Sequence, residues 1–515
     1  MYLLIFSFVF YVIYLLSTKT EKTHSYHFLK IFTFTEKILS NNLITILFIF
    51  IISQIVQLTS LQIETLNWDI NTFIVTSHDI SRGNLPLAEQ WENKGPLLFF
   101  LYYIPQFVFE KSILAIKLFN DFVFYILLLS IFFISKKISN NNISSLASVL
   151  FFILVTGLEF EGQAGYSEYY ALIFIGLSVY IIQNKNSSVA FFLCGMSLGL
   201  SYLVTSSVLI MVLFFGSFIT LKFHCDKIKI FYFFLGLLFP FALIFVLYLF
   251  HNETKILLEN LFVLPFLYRS ELGIFVFKRF IKFTIFVIAQ HKLVLIGITN
   301  LTIGILIILR LLKLKNIRNL LNFEYFIYLL IGASTVTFLI ANKGYWHHII
   351  YFYYFFAISI AYFANKKFIK GLIYLNFLVL FPTLLITSIL NIKNYEIDNY
   401  PIYKLSEDIS KNYQVESVLA LSDHLFLYYF DKQNESFIIH PSFHDVDWLL
   451  EYFQSQKYIT NTELYDILES GPDLITCNNH WKSIGLFCET VLEDTRYKLY
   501  EQDKVKSSIF IKISR

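Results

Sequence analysis

The stretch ILAIKLFNDFVFYILLLSIFFISKK, residues 113–137, sets the terms for the rest of the chain. Residues 113–135 form an apolar run long enough for a helix to cross the hydrocarbon of a bilayer, which takes about 20 residues. Lys117 and Asp121 lie toward one end, and Lys136-Lys137 closes the other. An Asp or Lys at mid-membrane costs roughly 2.5–3.5 kcal/mol, so charges at the edges are what a spanning helix tolerates. Similar runs lie near 2–17, 43–60, 143–158, 169–183, 189–203, 204–222, 231–250, 283–309, 323–341, 347–364 and 368–390, making about twelve spans. The first has the length of a signal peptide but lacks a basic start and a small-residue cleavage site, so it reads as an anchor helix.

Composition agrees with this reading. Of 515 residues, 57% are hydrophobic and 15% charged, against about 25% charged in an ordinary soluble domain. A soluble globule could not hide so much apolar surface. The charges are also segregated. Residues 1–390 carry 28 Lys and Arg against 17 Asp and Glu, a net +11, whereas 391–515 carry 12 against 20, a net −8. No continuous basic stripe is present, which argues against a nucleic-acid partner.

If the spans alternate, Lys19, Lys22, Lys30 and Lys37, then Lys136-Lys137, Lys185, Lys222, Lys227 and Lys229, Arg310 to Arg318, and Lys366 to Lys370 all fall on one side. That side is cytoplasmic by the positive-inside rule. The opposite, outer side receives 61–112, 159–168, 251–282, 342–346 and the tail from 391. The expected architecture is therefore a multi-pass α-helical membrane protein, 1–390, followed by a small outward-facing α/β domain, 391–515. In that tail, 415–422, 436–441, 472–478 and 507–513 read as strands, and 446–456 and 461–471 as helices. Cys477 and Cys488 fall in the tail eleven positions apart, either bridged or as two free thiols; they lack the partners of a zinc site.

The polar chemistry concentrates at the outer surface. The loop 64–105, ETLNWDINTFIVTSHDISRGNLPLAEQWENKGPLLFFLYYIP, sets Asp69 near a helix end. A turn at Gly83–Pro86 follows, and then Lys94-Gly95-Pro96 opens an aromatic segment suited to lying along the interface. A carboxylate near an acceptor hydroxyl can take its proton, and a cation near a leaving phosphate offsets developing charge.

The order Asp69, DISRGNLP (79–86) and WENKGPLLFFLYYIP (91–105) resembles the first outer loop of family C glycosyltransferases that use polyprenyl-phosphate sugars. These include protein O-mannosyltransferases, lipid A aminoarabinose transferases and lipopolysaccharide-core sugar transferases. The resemblance covers about 43–390. It implies that Asp69 is the base activating the acceptor, although the family often carries Asp-Glu where this chain has Asp69-Ile70. It implies that Lys94 meets the lipid phosphate, with Glu92 at the acidic position two before it and KGP in place of the commoner KPP. Glu168, in GYSEYYALIFIGLSVY (165–180), takes the place of a second acid serving catalysis or acceptor binding. His347, with His348 as the alternative, matches an aromatic-His motif in NKGYWHH (342–348) on the donor-phosphate side.

The implied activity is transfer of a monosaccharide, a hexose or pentose, from a polyprenyl-phosphate donor to a hydroxyl of a glycan, glycolipid or protein on the outer face. Inversion follows from a single carboxylate. The alternatives are a polysaccharide polymerase or ligase, and a non-enzymatic transporter or flippase of lipid-linked sugar. The sequence requires no cofactor. A divalent metal held by Glu92 with a histidine is allowed by the resemblance, since some relatives bind one, but no metal ligand set is assigned. The abundance of Ile, Phe, Asn and Lys points to an AT-rich bacterial genome, hence to a bacterial plasma membrane with site and tail on the periplasmic or extracellular side.

Overall fold

The computed structural model describes residues 41–57, 60–62, 64, 67–110, 112–159, 165–267, 278–281, 283–284, 287, 294–313, 321–340, 346–363, 382, 386, 400–501 and 507–513. The longer helices of the first two-thirds are α1 (Asn42–Gln57), α2 (Trp68–His78), α3 (Pro96–Phe109), α4 (Ile113–Ser139), α5 (Asn142–Glu159), α6 (Ser167–Asn184), α7 (Ser188–Val204), α8 (Leu209–Lys222) and α9 (Lys227–Phe250). They continue with α10 (Val294–Leu312), α11 (Phe323–Ile340) and α12 (Ile349–Phe363). The tail follows as α13 (Pro401–Asn412), β1 (Val418–Ala420), α14 (Leu425–Phe430), α15 (Asp447–Ser455), α16 (Glu463–Ser470), β2 (Leu474–Cys477), α17 (Lys482–Glu493), β3 (Tyr497–Glu501) and β4 (Ser508–Lys512). The expected spans 2–17 and, apart from Pro382 and Ile386, 368–390 lie outside the described residues.

The described residues fall into two compact units. One is drawn from Met1–Ser60, Asn120–Leu243 and Pro265–Asn394, the other from Leu61–Phe119, Ile244–Leu264 and Tyr395–Arg515. The first outer loop thus shares a unit with the tail.

The first unit is a helical bundle. Helices α4, α9 and α11 are each long and apolar enough to cross a membrane, and with the shorter apolar helices they form a multi-pass membrane fold. Helix starts are written in the sequence. Asn41 Oδ1 accepts from Leu43 N (2.9 Å), Asn141 Oδ1 from Ile143 N (2.7 Å) and Ser187 Oγ from Ala190 N (3.3 Å), each satisfying an orphan donor of the first turn. Helix α12 is buried on every side except at Tyr362, as expected of a central helix. Helix α9 instead leaves Phe231, Leu235, Leu238 and Leu243 exposed, a surface suited to lipid.

Small residues let α7 and α9 approach backbone to backbone. A Cβ added at Gly195 would lie 2.0 Å from Phe233 O, one at Gly199 2.4 Å from Leu237 O, and one at Gly236 2.0 Å from Phe192 O. This is the small-residue packing on which membrane helices rely where no water is available to drive association. Tyr354 Oη and Ser130 Oγ meet at 2.7 Å beside Gly176, where a Cβ would collide with both.

In the second unit the tail carries a four-stranded sheet in the order β1-β2-β4-β3, with β1 and β2 parallel and the other pairs antiparallel. Leu419, Leu421, Ile475 and Phe510 pack with Ile484, Phe487 and Val491 of α17 and Leu468 of α16 in one apolar core. A disulfide between Cys477 and Cys488, with Cα atoms 6.0 Å apart, ties the end of β2 to α17. Of the expected tail elements, 436–441 is no sheet strand. Its backbone is taken by the first loop instead, where Trp91 N donates to Phe437 O (2.7 Å) and Ile439 N to Trp91 O (3.2 Å). The fourth strand is β3, whose charged sequence YKLYE hides its strand character.

Candidate active site

Helix α2 presents Asp69 at its first turn. Asn67 caps the helix, its Oδ1 accepting from Asp69 N at 2.9 Å. The helix ends through a short 3-10 turn at Gly83, whose φ of 87° suits glycine. Gln106 of α3 locks the two helices together by donating to Ser77 Oγ (2.6 Å) and Ile74 O (3.3 Å) of α2.

The loop between α2 and α3 is fastened on three sides within its unit. Tyr248 Oη donates to Pro86 O (2.6 Å). Asn260 accepts from Trp91 Nε1 (3.0 Å) and donates to Lys94 O (2.8 Å). Buried Asp79 accepts from Arg82 Nη1 (2.6 Å) and Gln90 Nε2 (2.5 Å), while Gln90 Oε1 accepts from Asn434 N (3.2 Å). Burial raises the Asp79 carboxyl to about 6 against the opposing pull of Arg82 and Gln90. Glu64 likewise accepts from Ile402 N and Tyr403 N, both at 2.7 Å, at the start of α13. Such supports hold a loop far more firmly than its own sequence would.

These contacts deliver Asp69, Glu92 and Lys94 to one neighbourhood together with a residue the sequence reading did not single out, His440. Its Nε2 lies 2.8 Å from Asp69 Oδ1. Its Nδ1 accepts from Ser442 N (3.2 Å) and meets Ser442 Oγ at 2.9 Å. With a backbone N–H directed at Nδ1, the neutral ring carries its proton on Nε2, aimed at Asp69. Burial alone would lower His440, but its hydrogen bond to Asp69 and the negative charges of Glu92 and Asp69 outweigh burial and raise it. The neighbouring His424 and His444 are pushed down by burial to about 3 and about 4, so they stay neutral.

Burial separates the two acids. The Asp69 side chain keeps 21% of its exposure, whereas Glu92 keeps 1%. Burial raises Glu92 above the ordinary carboxyl range, with Asp69 adding to the shift and His440 and Lys94 opposing it. Glu92 Oε1 accepts from Asn93 N at 3.0 Å. Lys94 is buried to 7% with its ammonium 5.9 Å from the Phe73 ring centroid. No carboxylate among the described residues forms a salt bridge with it. The cluster therefore offers an accessible carboxylate, an imidazole that orients it, and a shielded cation suited to an incoming anion.

Within the other unit, Glu168, His347 and His348 come together. His348 Nδ1 lies 3.3 Å and His347 Nε2 4.0 Å from Glu168 Oε1, and Ser167 Oγ donates to Glu168 Oε2 at 3.2 Å. One ligand atom from each of the three lies within 4.8 Å of the others, close enough to hold a metal ion. Glu92, the acid paired with a histidine in the sequence-based metal reading, joins no such group among the described residues.

His440 escaped the sequence reading because it ends the apolar run SFIIHP (436–441), where a histidine looks like an interior residue. The visible signal was local: His-Pro-Ser opening a 3-10 turn, in which the imidazole caps Ser442 N.

The fold defines a class, that of multi-pass membrane proteins built like ArnT. The chain superposes on ArnT from Cupriavidus metallidurans, in a crystal structure bound to undecaprenyl phosphate, with a TM-score of 0.60 at 9% identity over 91% of this chain and 98% of that one. For the same protein in the apo state the TM-score is 0.50 at 9% identity, over 90% and 97%. Neither a family model nor a curated protein matches the sequence.

Proposed function

We propose that this chain is an integral-membrane glycosyltransferase that moves a monosaccharide from a polyprenyl-phosphate donor to a hydroxyl of a glycan, glycolipid or protein. The observation that carries the reading is the Asp69–His440 pair at 2.8 Å with the shielded ammonium of Lys94 in the same unit. The likeness to ArnT bound to undecaprenyl phosphate over nearly the whole chain supports a lipid-phosphate donor.

In this reading Asp69 takes the proton of the acceptor hydroxyl as its oxygen attacks the anomeric carbon. The bond from that carbon to the phosphate oxygen breaks, and polyprenyl phosphate leaves with the electron pair. Lys94 meets the charge that develops on the phosphate, an interaction strengthened by exclusion of water. His440 donates from Nε2 to Asp69 Oδ1 and directs the second carboxylate oxygen toward the acceptor. One displacement inverts the anomeric carbon; retention would need a second carboxylate as nucleophile, and Glu92, buried and shifted toward its protonated form, is ill suited to that part. The Cys477–Cys488 disulfide supports an oxidising, outward location for the tail.

The test is to give the purified chain in lipid nanodiscs a polyprenyl-phosphate monosaccharide and candidate acceptors. Release of polyprenyl phosphate with an inverted product linkage is expected, and Lys94→Ala should weaken donor binding. Movement of intact donor between leaflets without release of polyprenyl phosphate would instead identify a flippase.

A further inference from the structure

We propose that Glu168, His347 and His348 form a binding site for a first-row divalent cation, zinc by its donor set. Two imidazoles and one carboxylate suit Zn²⁺, whereas Mg²⁺ and Ca²⁺ prefer all-oxygen sites. The inference stands independently of the glycosyltransferase reading.

The geometry is unusual for neighbours in sequence. His347 and His348 are consecutive residues on a 3-10 turn, Trp346–His348, yet both bring a ring nitrogen to the same carboxylate oxygen. Neutralising one carboxylate takes a single imidazolium. Here two imidazoles face that one oxygen nitrogen-first, and with it they form a three-residue set of potential ligands within 4.8 Å of one another. In a tetrahedral zinc site with bonds of about 2.0–2.1 Å, ligand atoms sit about 3.4 Å apart. The Glu168–His348 pair, at 3.3 Å, already has that spacing, the His347 nitrogen lies at 4.0 Å, and all three ligand atoms fall within 4.8 Å of one another.

The surroundings match what a metal site needs beyond its ligands. Glu168 is 1% exposed. Ser167 Oγ holds its other oxygen at 3.2 Å, leaving Oε1 turned to the histidines. The Tyr166 ring stacks on His347, with centroids 5.5 Å apart and planes 21° apart, and fixes the ring's orientation. Such outer contacts tune affinity in known sites. Three protein ligands leave a fourth position open to water.

The test uses the full chain purified through a tag without histidine, stripped with chelator and titrated with Co²⁺ and Zn²⁺ alone. We expect about one equivalent of either metal and a visible d–d band from four- or five-coordinate Co²⁺. His348→Ala and Glu168→Gln should each weaken Zn²⁺ binding by more than about 100-fold, since outer-contact changes already cost about 10–100-fold, and Ser167→Ala by about 10-fold. Cys225→Ser, which removes the exposed thiol, should leave the Co²⁺ band unchanged. A wild-type chain without a d–d band at saturating Co²⁺ overturns the proposal even if the histidine variants fail to fold. So does one equivalent of metal retained by both His348→Ala and Glu168→Gln.

Discussion

The imidazole of His440 and the carboxylate of Asp69 sit 2.8 Å apart although 371 positions separate them in the chain. The first-loop acid is therefore oriented by the tail, not by a second acid beside it in sequence. Ile70, the residue that follows Asp69, is fully buried. This arrangement makes His440 a positioning residue. His440→Ala should lower turnover by about 10–100-fold, less than the roughly 10²–10⁴ a positioned general base itself contributes, while donor affinity stays unchanged. His440→Gln, which still offers an N–H, should recover part of the loss and remove the pH dependence set by the imidazole. A shared fall of turnover and donor affinity in both variants would mean the contact serves only the fold.

Asp79 gives a pH signature of stability. Its carboxyl is raised from an ordinary 3.8 to about 6 by burial. The folded state thus favours the protonated acid. Its contribution is fully present below the unfolded value and lost as pH rises through about 6. A two-unit displacement corresponds to about 3 kcal/mol. Asp79→Asn should flatten the fall in thermal stability between pH 4 and 6 while leaving the hydrogen bond from Arg82 in place. An unchanged slope would show that other acids carry it.

The cysteines report on the tail. Cys477 and Cys488 are joined, Cys194 is buried and Cys225 is exposed. Alkylation of the folded, unreduced protein should label one site, Cys225, and reduction followed by unfolding should open all four. Labelling of Cys477 before reduction would contradict the disulfide.

Much of the helical layout was legible because apolar runs in a membrane protein have one stable use, and most long helices described between 42 and 363 lie on the runs read from sequence; Trp68–His78 and Pro96–Phe109, in the stretch 61–112 read as an outer loop, do not. The tail was legible where elements are amphipathic: 446–456 became Asp447–Ser455, and 461–471 became Glu463–Ser470. It failed where pairing is non-local. The apolar segment around Ile438 bonds to Trp91 instead of a sheet strand, and charged Tyr497–Glu501 is a strand because Ser508–Lys512 pairs with it. Asp69, Glu92 and Lys94 stood out through their spacing and a resemblance. The residue that orients Asp69 did not, since only folding brings His440 beside it.

The account rests most directly on Asp69 as the base. Its measurement is the turnover of Asp69→Asn on a polyprenyl-phosphate sugar beside its donor dissociation constant, in the same nanodiscs as the wild type. The account predicts a loss of turnover of about 10²–10⁴-fold with donor binding retained. Turnover within a few-fold of the wild type, with the protein folded and donor bound, would contradict it.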